Sequence, residues 1–323
     1  MTIFLIRRLT QSVSVLIIMS MIVFLAIYAI GDPVTLLMDP EATLEEREEI
    51  TRKLGLDQPL YQQYLHFVGG FFKGDLGHSY VHNIPALKLI FQRMPATLEL
   101  AFSAMFIAVV AGVPLGIWAG MKPDSFVSKS IMTGSILGFS LPTFWVGLML
   151  VLLFAIQLEW FPTFGRGETV EIGRIGISFL TLDGIRHLIL PAFNMALYPM
   201  SLIIRLTRAG MQETLSLDFI KFARAKGLRE HRVILIHALK NILIPVVTII
   251  GVQFGIILAF AVVTESVFAW PGMGKLIIDS INLLDRPVIV AYLLITVLMF
   301  IGINLVVDIL YSVLDPRIRI GES

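Results

Sequence analysis

Six apolar runs dominate the chain: Val13 to Ile30, Leu98 to Ala119, Ile131 to Ile156, Leu188 to Ile204, Ile242 to Val263 and Val288 to Tyr311. Each holds 17 residues or more with almost no charge, enough for a helix to cross a hydrocarbon core ~30 Å thick. The pattern predicts an all-α integral membrane protein with six transmembrane helices. Arg7 and Arg8 ahead of the first run imitate a secretory signal. The run is longer than a signal core, however, and Ala26 and Ala29 are spaced three apart rather than two, so it reads as an uncleaved anchor.

The polar stretches carry structure of their own. The segment from Gly31 to Pro95 is too long for a bare connector. In it, Thr43 and Glu46 form a capping box, Arg52 and Lys53 suit a last helical turn, and Gly55 is placed to close it. Leu60, Tyr61, Tyr64, Leu65 and Val68 then recur at helical spacing, which predicts an amphipathic helix lying on lipid or on the protein's own outer face. The chain therefore reads as an anchor helix (1–30), an external loop (31–95) and a five-helix core (96–323) with a cytoplasmic loop at 207–241.

Composition and charge settle the class and orientation. Of 323 residues 56% are hydrophobic and 15% charged, with a mean hydropathy of +0.84. One soluble core could not bury so much apolar surface. With six spans both termini lie on one side, and placing them in the cytoplasm puts 14 of the 25 basic residues inside. The outer segments then hold 16 acidic residues and the inner ones 6. A net charge of +1 gives no electrostatic case for nucleic acid. The lack of cysteine removes disulfides and thiolate chemistry.

The segment Thr214 to Pro245 reads as helix, turn, helix. Ser216 can cap the first helix, Phe219, Phe222, Ala223 and Lys226 make a short ridge, and Gly227 permits a sharp turn. From Arg229 a basic amphipathic helix feeds the next span, with a kink point at Pro245. Basic residues here can simply settle on anionic headgroups. An aromatic ridge between two turn signals suits a partner's groove better.

Catalytic signatures are missing. Gly272-Met-Gly-Lys275 fails as a P-loop, because Ala269 stands where the first glycine belongs and Leu276 where Ser or Thr belongs. His78 and His82 lack a third metal ligand, and neither HExxH nor GxSxG occurs. Polar residues inside spans are candidates for a transport path or for interhelical packing: Asn194, Tyr198, Gln253, Asn304 and Asp308. Asn194 and Tyr198 share a helix face between Pro191 and Pro199, and with Gln253 form the predicted passage. Glu99 and Asp308 sit at span ends. An ion-coupled secondary carrier is the competing reading, but it wants a midplane charge and internal repeats that the sequence does not display.

The loop resembles the EAA-type coupling segment of bacterial ABC importers, in the form used by dipeptide and oligopeptide permeases. The resemblance rests on Ala223-Arg-Ala-Lys-Gly227, His237-Ala-Leu-Lys-Asn241 and Ile244-Pro245, with Lys221-Phe222-Ala223 in place of Glu-Ala-Ala. It extends through Gly55-Leu-Asp-Gln-Pro59, Gln63-Tyr64, Gly74-Asp-Leu-Gly77 with Ser79, and Thr97-Leu-Glu-Leu100. Further on come Thr264-Glu265, Trp270-Pro-Gly272, Asn304-Leu-Val-Val-Asp308 and Asp315-Pro-Arg-Ile318. The resemblance implies a type I ABC importer fold in the bacterial inner membrane, working with a second homologous permease, two ATP-binding cassette ATPases and an external solute-binding protein. ATP and Mg²⁺ would be bound by the ATPases, leaving this chain without cofactor or catalysis. Asp218, Phe219, Phe222, Ala223, Arg224, Ala225, Lys226 and Gly227 would dock on an ATPase. The cargo would be a peptide or a similar small solute.

Overall fold

The computed structural model describes residues 2–29, 43–53, 57–173 and 175–314. Gly55, Arg317, Arg319 and the Asp315–Ile318 motif lie outside them, as do the side chains of Arg7, Arg8 and Asp308. By contact the chain divides into two compact units, residues 1–92 with 276–299 and residues 93–275 with 300–323.

The first unit opens with α1 (Thr2–Ala29), followed by α2 (Leu44–Lys53) and α3 (Leu60–Lys73). The capping box at α2 forms as expected: Thr43 N donates to the Glu46 carboxylate at 2.9 Å and Glu46 N to the Thr43 hydroxyl at 3.3 Å. Helix α3 packs on α1 through Tyr64, whose hydroxyl is 2.8 Å from that of Ser20 and whose ring meets Phe24 edge-on at 5.4 Å. Phe67 and Phe71 extend this contact onto a core of Val23, Val290 and Leu294. The predicted ridge is thus split, with Tyr64 turned inward while Leu60, Tyr61 and Leu65 remain exposed.

The second unit is built on long helices. After α4 (Ala86–Met121) comes α5 (Phe126–Ser140), capped where the Ser125 hydroxyl accepts from Ser128 N at 3.1 Å. The run predicted as one span from Ile131 to Ile156 is broken at Leu141–Pro142. Proline offers no N–H and disfavours helix in the residue before it. The chain bends there by 108° before α6 (Thr143–Leu150) and a π-helical stretch, Val151–Gln157. A small hairpin follows, β1 (Val170–Ile172) paired antiparallel with β2 (Ile175–Ile177), with Val170 opposite Ile177. It corrects the all-α expectation locally: Val170, Ile172, Ile175 and Ile177 alternate with polar or small residues, a period of two.

Helix α7 (Leu182–Ser216) carries Pro191 and Pro199 within it. The loop helix α8 (Asp218–Ala225), the turn α9 (Glu230–Arg232), a π-helical segment Val233–Ala238 and α10 (Leu239–Val267) come next, then α11 (Met273–Asn282) and α12 (Arg286–Leu314). Ser216 does not cap α8. It closes α7, its hydroxyl donating to Glu213 O at 2.7 Å, and Leu217 takes the cap position without a side-chain bond. The longer α7 absorbs the residue that sequence spacing assigned to the next helix.

Among the described residues four helices are long and apolar enough to cross a membrane, at 86–121, 182–216, 230–267 and 286–307; the bent α5–α6 pair makes a fifth if it counts as one span. In α1 the apolar stretch Thr10–Leu25 falls in the shorter class, so the six predicted spans are met at four or five. Over the most apolar stretch of each, α7 buries 61% of its residues against 33–39% for the other three, which makes it the most enclosed of the four. It packs on α5, α6 and α10. Its contact with α4 uses Gly112, Gly116 and Gly120: a Cβ on Gly116 would lie 2.6 Å from Thr207 Cβ, and one on Gly120 the same distance from Met211 Cβ. Small residues four apart let the two backbones approach where lipid supplies no hydrophobic drive.

Candidate functional site

A cavity of about 310 Å³ lies among α6, α7 and α10. Thr143, Met195, Tyr198, Gln253, Phe260 and Thr264 contribute to its wall, and among the described residues no Asp, Glu, Lys, Arg or His lines it. Two of the three predicted passage residues, Tyr198 and Gln253, are therefore in one wall. The Tyr198 ring stacks on Phe139 at 5.1 Å, and the Arg205 guanidinium lies over that same Phe139 at 4.7 Å. Asn194 is fully buried behind the wall and donates through Nδ2 to Thr264 Oγ1 at 3.2 Å. Its Oδ1, like Gln253 Oε1, is buried without a hydrogen-bond partner among the described residues. An unpartnered buried amide oxygen is costly and can accept from a donor that enters. Asn304 instead satisfies itself locally, Nδ2 donating to Phe300 O at 2.9 Å.

The far end of α10 is locked by a buried carboxylate. Glu265, fully buried, accepts from Thr97 Oγ1 at 2.7 Å and from Lys275 N at 2.9 Å. Thr97 Oγ1 in turn accepts from Met273 N at 2.8 Å, and Trp270 Nε1 donates to Ala96 O at 2.9 Å. A second lock holds the hairpin. Arg166 reaches the Glu99 carboxylate at 2.6 Å, while Ser178 N and Phe179 N donate to the other Glu99 oxygen at 2.7 and 3.1 Å. Glu99 is thus a structural anchor.

At the other end of α7 lies α8. Ile220 and Ala223 are buried in a cluster with Met211 of α7, with Val233, Ile234 and Ala238 of the π-helical segment, and with Ile242 of α10. Asp218, Phe219, Phe222, Arg224, Ala225 and Lys226 are exposed, Phe222 at 62%. Lys226 Nζ sits over the Phe222 ring at 4.6 Å. Arg224 pairs with Glu230 at 2.6 Å, and that hydrogen bond raises the Arg224 pKa further above its ordinary value. Gly227 ends the helix at φ +75°, a conformation that disfavours any residue with a Cβ. The predicted ridge is therefore a presented surface of Phe219, Phe222 and Lys226, with Ala223 turned inward. Ile220 is the inward anchor, and as one more Ile in an apolar loop it carries no local signal in the sequence.

At the first loop His78 pairs with Pro85 in an isolated bridge, not on a helix, and no group of three or more metal-ligating side chains gathers among the described residues.

Long apolar helices around an uncharged cavity, with a short exposed aromatic helix tied to two of them, are the architecture of a membrane permease. The chain belongs to the family of binding-protein-dependent transport system inner membrane components, whose family model matches residues 112–320; the model of the N-terminal region of these membrane components matches residues 1–101. The oligopeptide transport system permease protein AppB of Bacillus subtilis is 39% identical over 99% of this chain and 100% of its own length. The di/tripeptide permease protein DppB of Pseudomonas aeruginosa is 42% identical over 90% of each chain. The glutathione permease protein GsiC of Escherichia coli is 39% identical over 98% of each. A chain of the MetNI methionine ABC transporter, solved in an inward-facing conformation, shares the fold with a TM-score of 0.55 at 14% identity, covering 70% of this chain and 96% of that one.

Proposed function

We propose that this chain is one of two homologous permease subunits of an ATP-driven importer that carries peptides or a similar small solute inward by alternating access. It is not itself an enzyme: ATP and Mg²⁺ reside on two ATPase subunits, and an external solute-binding protein delivers the cargo. Helix α1 serves as the sixth span, the bent α5–α6 pair as one, and both termini face the cytoplasm.

One observation carries the reading. The buried face of α8 grips Met211 on α7 and Ile242 on α10, and these same two helices wall the cavity. A push on Phe219 and Phe222 from an ATPase cleft is therefore delivered to the ends of the cavity's own walls. Packed helices move as stiff bodies rather than deforming. Asp218, Arg224, Ala225, Lys226 and Gly227 complete the docking segment, and Tyr198, Gln253 and Asn194 border the passage. The ion-coupled carrier is disfavoured by the family match, and among the described residues no carboxylate or cationic group lines the cavity to hold a coupling ion.

The test is uptake by the reconstituted complex. Solute accumulation should require ATP on the α8 side and survive collapse of proton and sodium gradients. Accumulation that ignores ATP and follows an ion gradient would contradict the proposal.

A further inference from the structure

The first unit holds a second cavity, of about 320 Å³, lined by His66, Phe67, Asp75, Tyr80, Arg286 and Pro287 among others. Arg286 is only 3% exposed, and its Nε, Nη1 and Nη2 are all buried without a hydrogen-bond partner among the described residues. A guanidinium does not deprotonate, and its five N–H donors are left without an acceptor among the described residues. Buried charges are paired or they are costly. The carboxylate next to it in sequence does not serve: the Asp285 oxygens accept from Ser79 Oγ and from Tyr80 N at 3.1 Å. Asp75, also on the wall, has Oδ1 committed to Gly77 N at 3.0 Å. Tyr80 adds a phenol whose pKa burial pushes up, with the Arg286 charge opposing and the Asp285 charge adding to the shift, so it stays a neutral O–H donor.

We propose that this cavity is an oxyanion site, built around Arg286, for the phosphodiester of an anionic phospholipid. The planar guanidinium fork matches two phosphate oxygens. A lipid is favoured over a free ion by α3. Its His66 and Phe67 line the cavity, and on the same helix Leu60, Tyr61, Leu65 and Phe72 are 58–82% exposed, a surface suited to acyl chains. The phosphate would sit at the guanidinium and the chains along the outward side of α3.

The experiment uses the full chain purified in detergent with whatever subunits accompany it, after extensive lipid stripping. Thermal unfolding is followed during titration with short-chain phosphatidylglycerol, short-chain phosphatidylcholine and inorganic phosphate, and tightly retained phospholipid is counted by native mass spectrometry. Phosphatidylglycerol at about a hundredfold over its Kd should raise the wild-type Tm by roughly 4 °C or more, with a smaller effect of phosphatidylcholine. Arg286→Gln should lose that response and one retained phospholipid, and Arg286→Lys should keep a weakened response. An equal response to inorganic phosphate, also lost in Arg286→Gln, would support the oxyanion site but assign it to the soluble ion. No wild-type response to either probe, or the same response in Arg286→Gln, overturns the proposal. If Arg286→Gln does not fold, the wild-type and Arg286→Lys titrations decide it alone. None of these readouts depends on ATP or transport.

Discussion

Replacing Thr97 by Val tests whether the lock on α10 is a hydrogen-bonded one. Valine matches threonine in shape but has no hydroxyl, so the perturbation is confined to polar contacts. Two are lost at once: the bond to the buried Glu265 carboxylate at 2.7 Å, and the acceptor for Met273 N at 2.8 Å. The first is a hydrogen bond to a carboxylate in a fully enclosed place, worth about 1.5–3 kcal/mol. The second orphans a backbone N–H, at about 1–3 kcal/mol. Glu265 keeps its donor at Lys275 N, so the carboxylate is not stranded. The expected loss is about 3–5 kcal/mol, or a fall in Tm of roughly 10 °C for a domain of this size. Thermal unfolding in detergent measures it against Thr97→Ser, which keeps the hydroxyl and should lie within about 1 kcal/mol of wild type. Equal Tm values for Thr97→Val and Thr97→Ser would refute the reasoning, since they would assign the site to packing alone.

Other perturbations follow from the same geometry. Gly116→Val would thrust side-chain atoms into Thr207 and Ile204 O, where a Cβ already comes within 2.6 and 2.8 Å, so it should cost about 3 kcal/mol or more and lower the yield of folded protein. Arg166→Gln leaves Glu99 with only its two backbone donors and should lower stability by about 3 kcal/mol; an undisturbed Tm would show that the pair is dispensable. Gln253→Leu removes the unpartnered cavity oxygen at nearly constant volume, so uptake should fall several-fold while Tm holds or rises, and an unchanged uptake rate would remove Gln253 from the passage.

Much of this architecture is legible in residue order because its determinants are local. The capping box at Thr43 and Glu46, the apolar runs behind the long helices, and the turn at Gly227 each involve residues within a few positions. Two local signals were outweighed. Pro142 stands inside an apolar run whose length argued for one continuous span, and the alternation from Val170 to Ile177 is short beside the surrounding helices. The G-x-x-x-G spacing from Gly112 to Gly120 is visible in the sequence, but it does not name its partner helix. The locks could not be read locally at all. Thr97 and Glu265 are 168 positions apart, and Thr97-Leu-Glu-Leu100, Thr264-Glu265 and Trp270-Pro-Gly272 appear in the sequence as separate motifs. Only the fold shows them as one hydrogen-bonded cluster. Likewise Ile220 looks like any apolar residue until Met211 and Ile242 are seen closing on it.

The central claim is that α8 is the mechanical link to an ATPase, and affinity purification through a tag on this chain tests it most directly. Phe222 is 62% exposed and outside the core that holds α8, so Phe222→Asp should leave the fold intact while placing a charge on the proposed docking surface. The wild-type chain should bring down a second permease and an ATPase, and Phe222→Asp should retain the permease while losing at least nine-tenths of the ATPase. An ATPase retained undiminished by Phe222→Asp, or a wild-type chain that purifies alone yet moves solute on an ion gradient, would contradict the account.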